Sequence, residues 1–123
     1  MTPRQQYSIN TDALFQPMQR IDLGPIIAGT NDPWFNQTLC QVNDAVVRLG
    51  VLKGEFHWHQ HDTQDELFDV VEGKLIIELE GRAVELGPMQ GFTVPMGVQH
   101  RPLAPEKTIV LMIERADVNA IGD

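Results

Sequence analysis

The chain has 123 residues, a length that suits one domain and leaves no room for a second. Hydrophobic residues at 42% and charged residues at 21% are ordinary for a globular protein and exclude a disordered chain. Acidic residues outnumber basic ones by 17 to 9, for a net charge of −8 with no Lys/Arg cluster, which excludes nucleic acid and anionic membrane as partners.

Residues 1–18 are polar and read as an arm, with a short helix predicted to start at Asn10-Thr11-Asp12 and to carry Leu14 and Phe15. Tyr7, the only tyrosine, reads as an exposed residue of that arm. The opening MTPRQQYSIN lacks the apolar core of a signal peptide, and the longest apolar run, Ile109 to Ile113, is too short to span a bilayer, so a cytoplasmic location is expected. Cys40 is the only cysteine; it precludes an intrachain disulfide and reads as a small buried hydrophobe.

Residues 19–123 read as a single β domain, since short apolar runs alternate there with Gly, Pro and Asp. Ala45, Val47, Leu49 and Val51 share one face of a strand, opposite Asp44 and Arg48. Leu67 to Val71, Leu75 to Leu79, Phe92 to Val94 and Thr108 to Ile113 read as further strands. Lys53-Gly54, Glu72-Gly73-Lys74, Glu80-Gly81-Arg82 and Leu86-Gly87-Pro88 read as turns, so that hairpins tipped by Gly follow one another. That spacing predicts an all-β sandwich or barrel. Met89, Met96 and Met112 read as core filling.

Three of the four histidines lie in Phe56-His57-Trp58-His59-Gln60-His61. On a strand, alternate residues face one way, so the three imidazoles share a side and Trp58 and Gln60 take the other. Residues i and i+4 of a strand lie about 13 Å apart, too far for one ion bonded at about 2.1 Å, whereas neighbouring alternate residues can converge on it. The pair is therefore His57/His59 or His59/His61. A turn at Asp62 to Asp65 followed by a strand from Glu66 brings that carboxylate back beside His61 and favours His59/His61, leaving His57 as core or support. Asp65 points away from Glu66 and reads as solvated, and Arg101 alternates away from His100. Pro95-Met96-Gly97 makes a defined turn that presents His100 at the start of another strand.

The motif His59-x-His61, four residues, Glu66, six residues, Gly73, followed by Pro95-x-Gly97, two residues, His100, resembles the two motifs of the cupin superfamily. The match runs over residues 54–104, and the phrasing of Trp58–Gly73 and Pro95–Pro102 is similar to that of small single-domain bacterial cupins. The chain departs from the pattern at Lys53, where the leading Gly arrives one place late as Gly54, at Met89 and at Ala104, all positions that shape turns. The resemblance implies an antiparallel jelly-roll, or double-stranded β-helix, barrel. It also implies one divalent transition metal per chain (Fe, Mn, Ni or Zn) held by His59, His61, Glu66 and His100.

Three imidazoles and a carboxylate leave positions open on an octahedral ion for a small organic molecule such as a sugar, organic acid or aromatic. Metal-dependent dioxygenase or isomerase/epimerase chemistry is one expectation, and a non-catalytic ligand-binding or sensing module is the other. No catalytic base is assigned: no Tyr, Lys or second Glu is aimed at the site by local pattern. The apolar residues of the arm and an outward Trp58 predict a homodimer.

Overall fold

The β-branched and aromatic runs pair into strands in a computed structural model of the protein, which describes residues 7–123. The elements are β1 (Tyr7–Asn10), α1 (Gly24–Gly29), β2 (Trp34–Val42), β3 (Ala45–Glu55), β4 (Glu66–Glu72), β5 (Leu75–Leu79), β6 (Arg82–Leu86), β7 (Gly91–Val94) and β8 (His100–Arg115). Strands run in the order β1-β2-β3-β8-β4-β7, with β5 joining β6 to the first part of β8. All pairings are antiparallel except that of β1 with β2.

The chain-adjacent hairpins are β2–β3, through Asn43-Asp44, and β5–β6, through Glu80-Gly81. At Glu72-Gly73-Lys74 and Leu86-Gly87-Pro88 the chain instead crosses to a strand that is not its neighbour, as closure of a jelly-roll requires. Lys53-Gly54 is not a turn. It is a register shift inside β3 opposite β8, with Gly54 at φ +103°.

β3 and β8 are buried on both faces. Leu52, Val110 and Met112 join Trp34, Phe56, Phe68, Leu75 and Ile77 in the core inside the barrel. Leu49, Val51 and Ile109, with Leu39 of β2, form a second core on the outside. This second core is covered by Phe15, Leu23, Ile26 and Ile27 from the N-terminal region. Arg48, read above as opposite the apolar face, therefore points into the barrel and is buried.

The N-terminal region also departs from expectation. Asn10 ends a strand and no helix follows it; the helix lies at Gly24–Gly29, with Pro25 in its first turn where a missing N–H costs nothing. Residues 14 and 15 hydrogen-bond in an extended path along β2 (Leu14 N–H to Thr38 O 3.1 Å, Phe15 N–H to Leu39 O 2.8 Å). Tyr7 is not a tail residue but stacks on Phe56 at 4.4 Å between ring centroids. Met89 and Met96 are exposed and only Met112 fills the core, while Cys40 is half-buried.

One crossing depends on a bare backbone. Gly73 sits at φ +92°, and a Cβ there would lie 2.6 Å from Thr108 Oγ1 and 2.8 Å from the Lys107 carbonyl. Thr108 cannot yield, because its hydroxyl accepts the Lys74 N–H at 3.0 Å and is fully buried. We expect Gly73→Ala to cost about 3 kcal/mol, from left-handed strain plus overpacking. Gly81→Ala, at φ +81° in open space, should cost only about 1 kcal/mol. Urea denaturation of the two variants checks the difference.

Candidate metal centre

His59 and His61 lie on the irregular segment between β3 and β4, Glu66 opens β4 and His100 opens β8. The segment is not a continuous strand, yet the backbone around His59 is fixed by a two-way bridge to His100 (His59 N–H to His100 O 3.0 Å, His100 N–H to His59 O 2.8 Å). The Pro95-Met96-Gly97 turn is docked on both sides of the cluster. Gly97 N–H reaches His61 O at 2.8 Å, and Met96 N–H reaches Asp65 Oδ1 at 2.9 Å. Asp65 is exposed as expected, but it holds the turn that presents His100.

The four side chains are buried, from 1% exposed at His100 to 7% at His59, and their donor atoms all lie within 4.8 Å of one another. Nε2 of His61 and Nε2 of His100 each stand 3.3 Å from Glu66 Oε1. Donors bonded to an ion at about 2.1 Å lie about 3 Å apart when adjacent and about 4.2 Å when opposite, so these spacings suit a common ion. Hydrogen bonding points the same way. Nδ1 of His59 faces the His57 carbonyl and Nδ1 of His100 faces the Val98 carbonyl, each at 2.9 Å, so both nitrogens carry the proton. In a neutral ring Nε2 is then a bare lone pair aimed at the cluster, and for His100 that lone pair meets a carboxylate oxygen. Only a proton or a cation between them reconciles two acceptors. Both ring nitrogens of His61 are buried; Nδ1 has no polar partner, and Nε2 has only the Glu66 carboxylate. A mixed nitrogen–oxygen set of this kind fits a transition metal better than Mg or Ca.

The sequence reading missed Glu114 and Arg48. β4 and β8 pair so that Glu66 and Glu114 are directly opposite, and both point inward. Arg48 Nη1 meets Glu114 Oε1 at 3.0 Å with both side chains almost fully buried. Burial, then the charge of Glu66, pushes the Glu114 carboxyl up to about 8 against the pull of Arg48. Glu66 moves the opposite way: burial would raise it, but the His100 and His61 rings hold it well below the carboxylate range. Burial, then the charge of His100, lowers His59 to about 4, which keeps it unprotonated and ready to ligate. Burial also lowers His61, but the contact with Glu66 outweighs it and raises this ring.

His57 is half-buried and stands outside the cluster. Its Nε2–H donates to Ile121 O at 2.6 Å, and its Nδ1 lies 3.3 Å from the Tyr7 hydroxyl. Its carbonyl orients His59, so it supports the cluster through the main chain. Trp58 points outward, half-exposed, beneath the Arg101 guanidinium, which also pairs with Glu78 and Glu55.

These shifts set a pH dependence for the metal-free protein. A raised carboxyl binds its proton more tightly in the native state, so Glu114 makes stability fall as pH climbs from its ordinary 4.5 to about 8. His59, lowered from 6.5 to about 4, makes stability rise with pH across that lower window. The two oppose each other below 6.5, whereas above it the Glu114 slope stands without that opposition, and the raised His61 adds to it. We expect melting of the protein in EDTA to be lower at pH 8 than at pH 6.5, by up to about 1.4 kcal/mol per pH unit and proton. Glu114→Gln should flatten that limb.

A barrel-like sheet of crossing, largely antiparallel strands, carrying a buried His₃Glu cluster that could hold a metal ion, defines a double-stranded β-helix protein with a candidate metal centre. A family model described as "Cupin domain" matches residues 46–114, and the chain belongs to that family. It is 34% identical over 87 residues to the uncharacterized protein YdbB of Bacillus subtilis (strain 168), spanning 70% of this chain and 77% of that one. Among solved structures it is similar to a cupin-2 domain containing protein from Shewanella frigidimarina NCIMB 400, with TM-score 0.73, 32% identity and coverage of 77% and 93% of the two chains. It also resembles, in fold, a conserved protein with a double-stranded β-helix domain from Klebsiella pneumoniae, with TM-score 0.71, 16% identity and coverage of 84% and 89%. No helix among the described residues is long and apolar enough to cross a membrane.

Proposed function

We propose that the protein is a metal-dependent cupin that binds, and acts on, a small organic molecule at a divalent transition metal held by His59, His61, Glu66 and His100. One observation carries this reading. The His100 Nε2 lone pair and the Glu66 carboxylate face each other at 3.3 Å inside the barrel, while the opposite ring nitrogen is already committed to the Val98 carbonyl. Fe, Mn, Ni and Zn all suit the donor set. When bound, the ion would supply Lewis-acid or, for Fe, oxygen-activating chemistry. The protein's own part is to orient three imidazoles, exclude water and hold a proton at Glu114, the second carboxyl of the site. A second buried carboxyl directly across from Glu66 and held by Arg48 gives the site a candidate group for proton transfer, which favours a catalytic reading over a purely sensing one.

Elemental analysis of the purified protein, followed by oxygen uptake and product assays with organic acids, sugars and aromatics, tests the proposal. Near one metal per chain with turnover supports it; metal without turnover leaves the sensing module. A chain that stays metal-free after reconstitution with each ion refutes both. We propose a homodimer through the face bearing Trp58, which is 44% exposed, and not through the N-terminal region, whose Phe15, Ile26 and Ile27 pack on their own barrel. A single-chain mass at every dilution in light scattering would count against it.

A further inference from the structure

The segment after β8 closes over the cluster. From Ala116 the chain leaves the sheet and turns back so that Ala120 forms part of the wall of the cavity beside His59 and Glu66. Gly122 lies flat against His59: at φ +94°, a Cβ there would be 2.6 Å from His59 Cβ. Four further contacts pin this strap to the segment that carries the histidines, one of them from Gln64 Nε2–H to Asp117 Oδ1 at 3.2 Å. His57 Nε2–H donates to Ile121 O at 2.6 Å, Asp123 N–H to Gln60 O at 2.9 Å and Asp62 N–H to Asp123 Oδ2 at 2.7 Å. Ile121 packs against the inner core.

The cavity left under the strap measures about 20 Å³. That volume holds one water-sized molecule and no organic ligand. Its walls are apolar (Trp34, Phe56, Phe68, Met112) apart from His59, Glu66 and Asn36. The amide oxygen of Asn36 is buried without a partner. The strap itself contains no helix or strand and pairs with no strand, so it can leave without breaking the barrel.

We propose that Ala116–Asp123 determines which molecules reach the cluster: closed, it admits only water-sized ligands, and an organic ligand binds by displacing it from His59. The displaced contacts describe that ligand. It coordinates from the metal side and lays an apolar body on Trp34 and Phe56. At its far end it presents an acceptor, such as a carbonyl or carboxylate oxygen, to the His57 N–H that Ile121 releases. Asn36 accepts a hydroxyl or amine hydrogen from it. This rests on the proposed metal-dependent function for its ligand, but the motion of the strap can be measured without metal.

Two variants release the strap by different means. Gly122→Val adds a side chain where His59 leaves no room, and His57→Phe removes the clasp without adding atoms against His59. In the metal-free full chain, hydrogen exchange should show the Asp62 and Asp123 amides opening far more often than the amides of β3 and β8. Both variants should speed that opening about tenfold, the upper range for one lost hydrogen bond. In the zinc-loaded chain, removal of the ion by EDTA should accelerate about tenfold in both while zinc stoichiometry in His57→Phe stays that of the parent. Strap amides as protected as those of β8, or exchange and EDTA rates unchanged in His57→Phe, would show a fixed wall and overturn the proposal. A parent chain that takes up no zinc would refute the metal reading, with the exchange rates still deciding the strap.

Discussion

His59→Ala, His61→Ala and His100→Ala should each abolish metal retention through gel filtration, whereas Glu66→Gln should keep a weakened site. Each imidazole is buried and aimed, two of them by a hydrogen bond from Nδ1 to a main-chain carbonyl, so no neighbouring group can swing in to replace a lost nitrogen. Loss of an outer supporting partner typically weakens a metal site by about 10–100-fold, and loss of a direct ligand should exceed that. Glutamine at position 66 still offers an oxygen but no charge, so its loss should fall between those limits. The His57→Phe chain is the control, since the His57 ring packs beside His59 but its nitrogens face Tyr7 and Ile121 and it is not among the four converging donors. Metal content of the five chains, measured after identical loading, tests the assignment. Equal loss in His57→Phe and His61→Ala would mean that the wrong histidine pair has been assigned.

Arg48→Met should be strongly destabilising, at about 3–5 kcal/mol near pH 8. Arg48 and Glu114 are paired at 3.0 Å with side chains 3% and 1% exposed, and Glu66 lies directly across from Glu114. Removing the guanidinium leaves two carboxyl groups facing each other with no cation on that side. The cost should shrink toward pH 5, where Glu114 is protonated in the parent as well. The double variant Arg48→Met/Glu114→Met should recover most of the loss. Arg48 Nε and Nη2 and Glu114 Oε2 already lack partners, and an incompletely satisfied buried pair is often replaced by apolar side chains at no cost. Urea midpoints of the two single variants and the double form the test; strict additivity of the two single losses would show that the pair does not act as a unit.

The four candidate ligands were legible because each signal is local. His59 and His61 are two residues apart in an extended segment, and Glu66 opens the next strand. The turn at Pro95-Met96-Gly97 places His100 by dihedral preference alone. The family resemblance rests on those same spacings. Alternation within β3 and β5 was equally readable, since the period of two is a property of one strand.

What an inward-facing residue meets is decided by strands distant in sequence. Arg48 alternated correctly, yet the pattern could not say that both faces of β3 are buried, one by the barrel and one by Phe15, Leu23 and Ile26. Glu114 became part of the site only because the β4–β8 register sets it opposite Glu66. Tyr7 stacks on Phe56 because β1 pairs in parallel with β2 far along the chain. The same holds for Gly122, whose role depends on His59 lying beneath it. Residue type and spacing thus determined which side chains could bind a metal. Only the tertiary structure decided which groups tune and cover them, because strand register and chain crossings bring those groups together from segments that carry no local sign of their meeting.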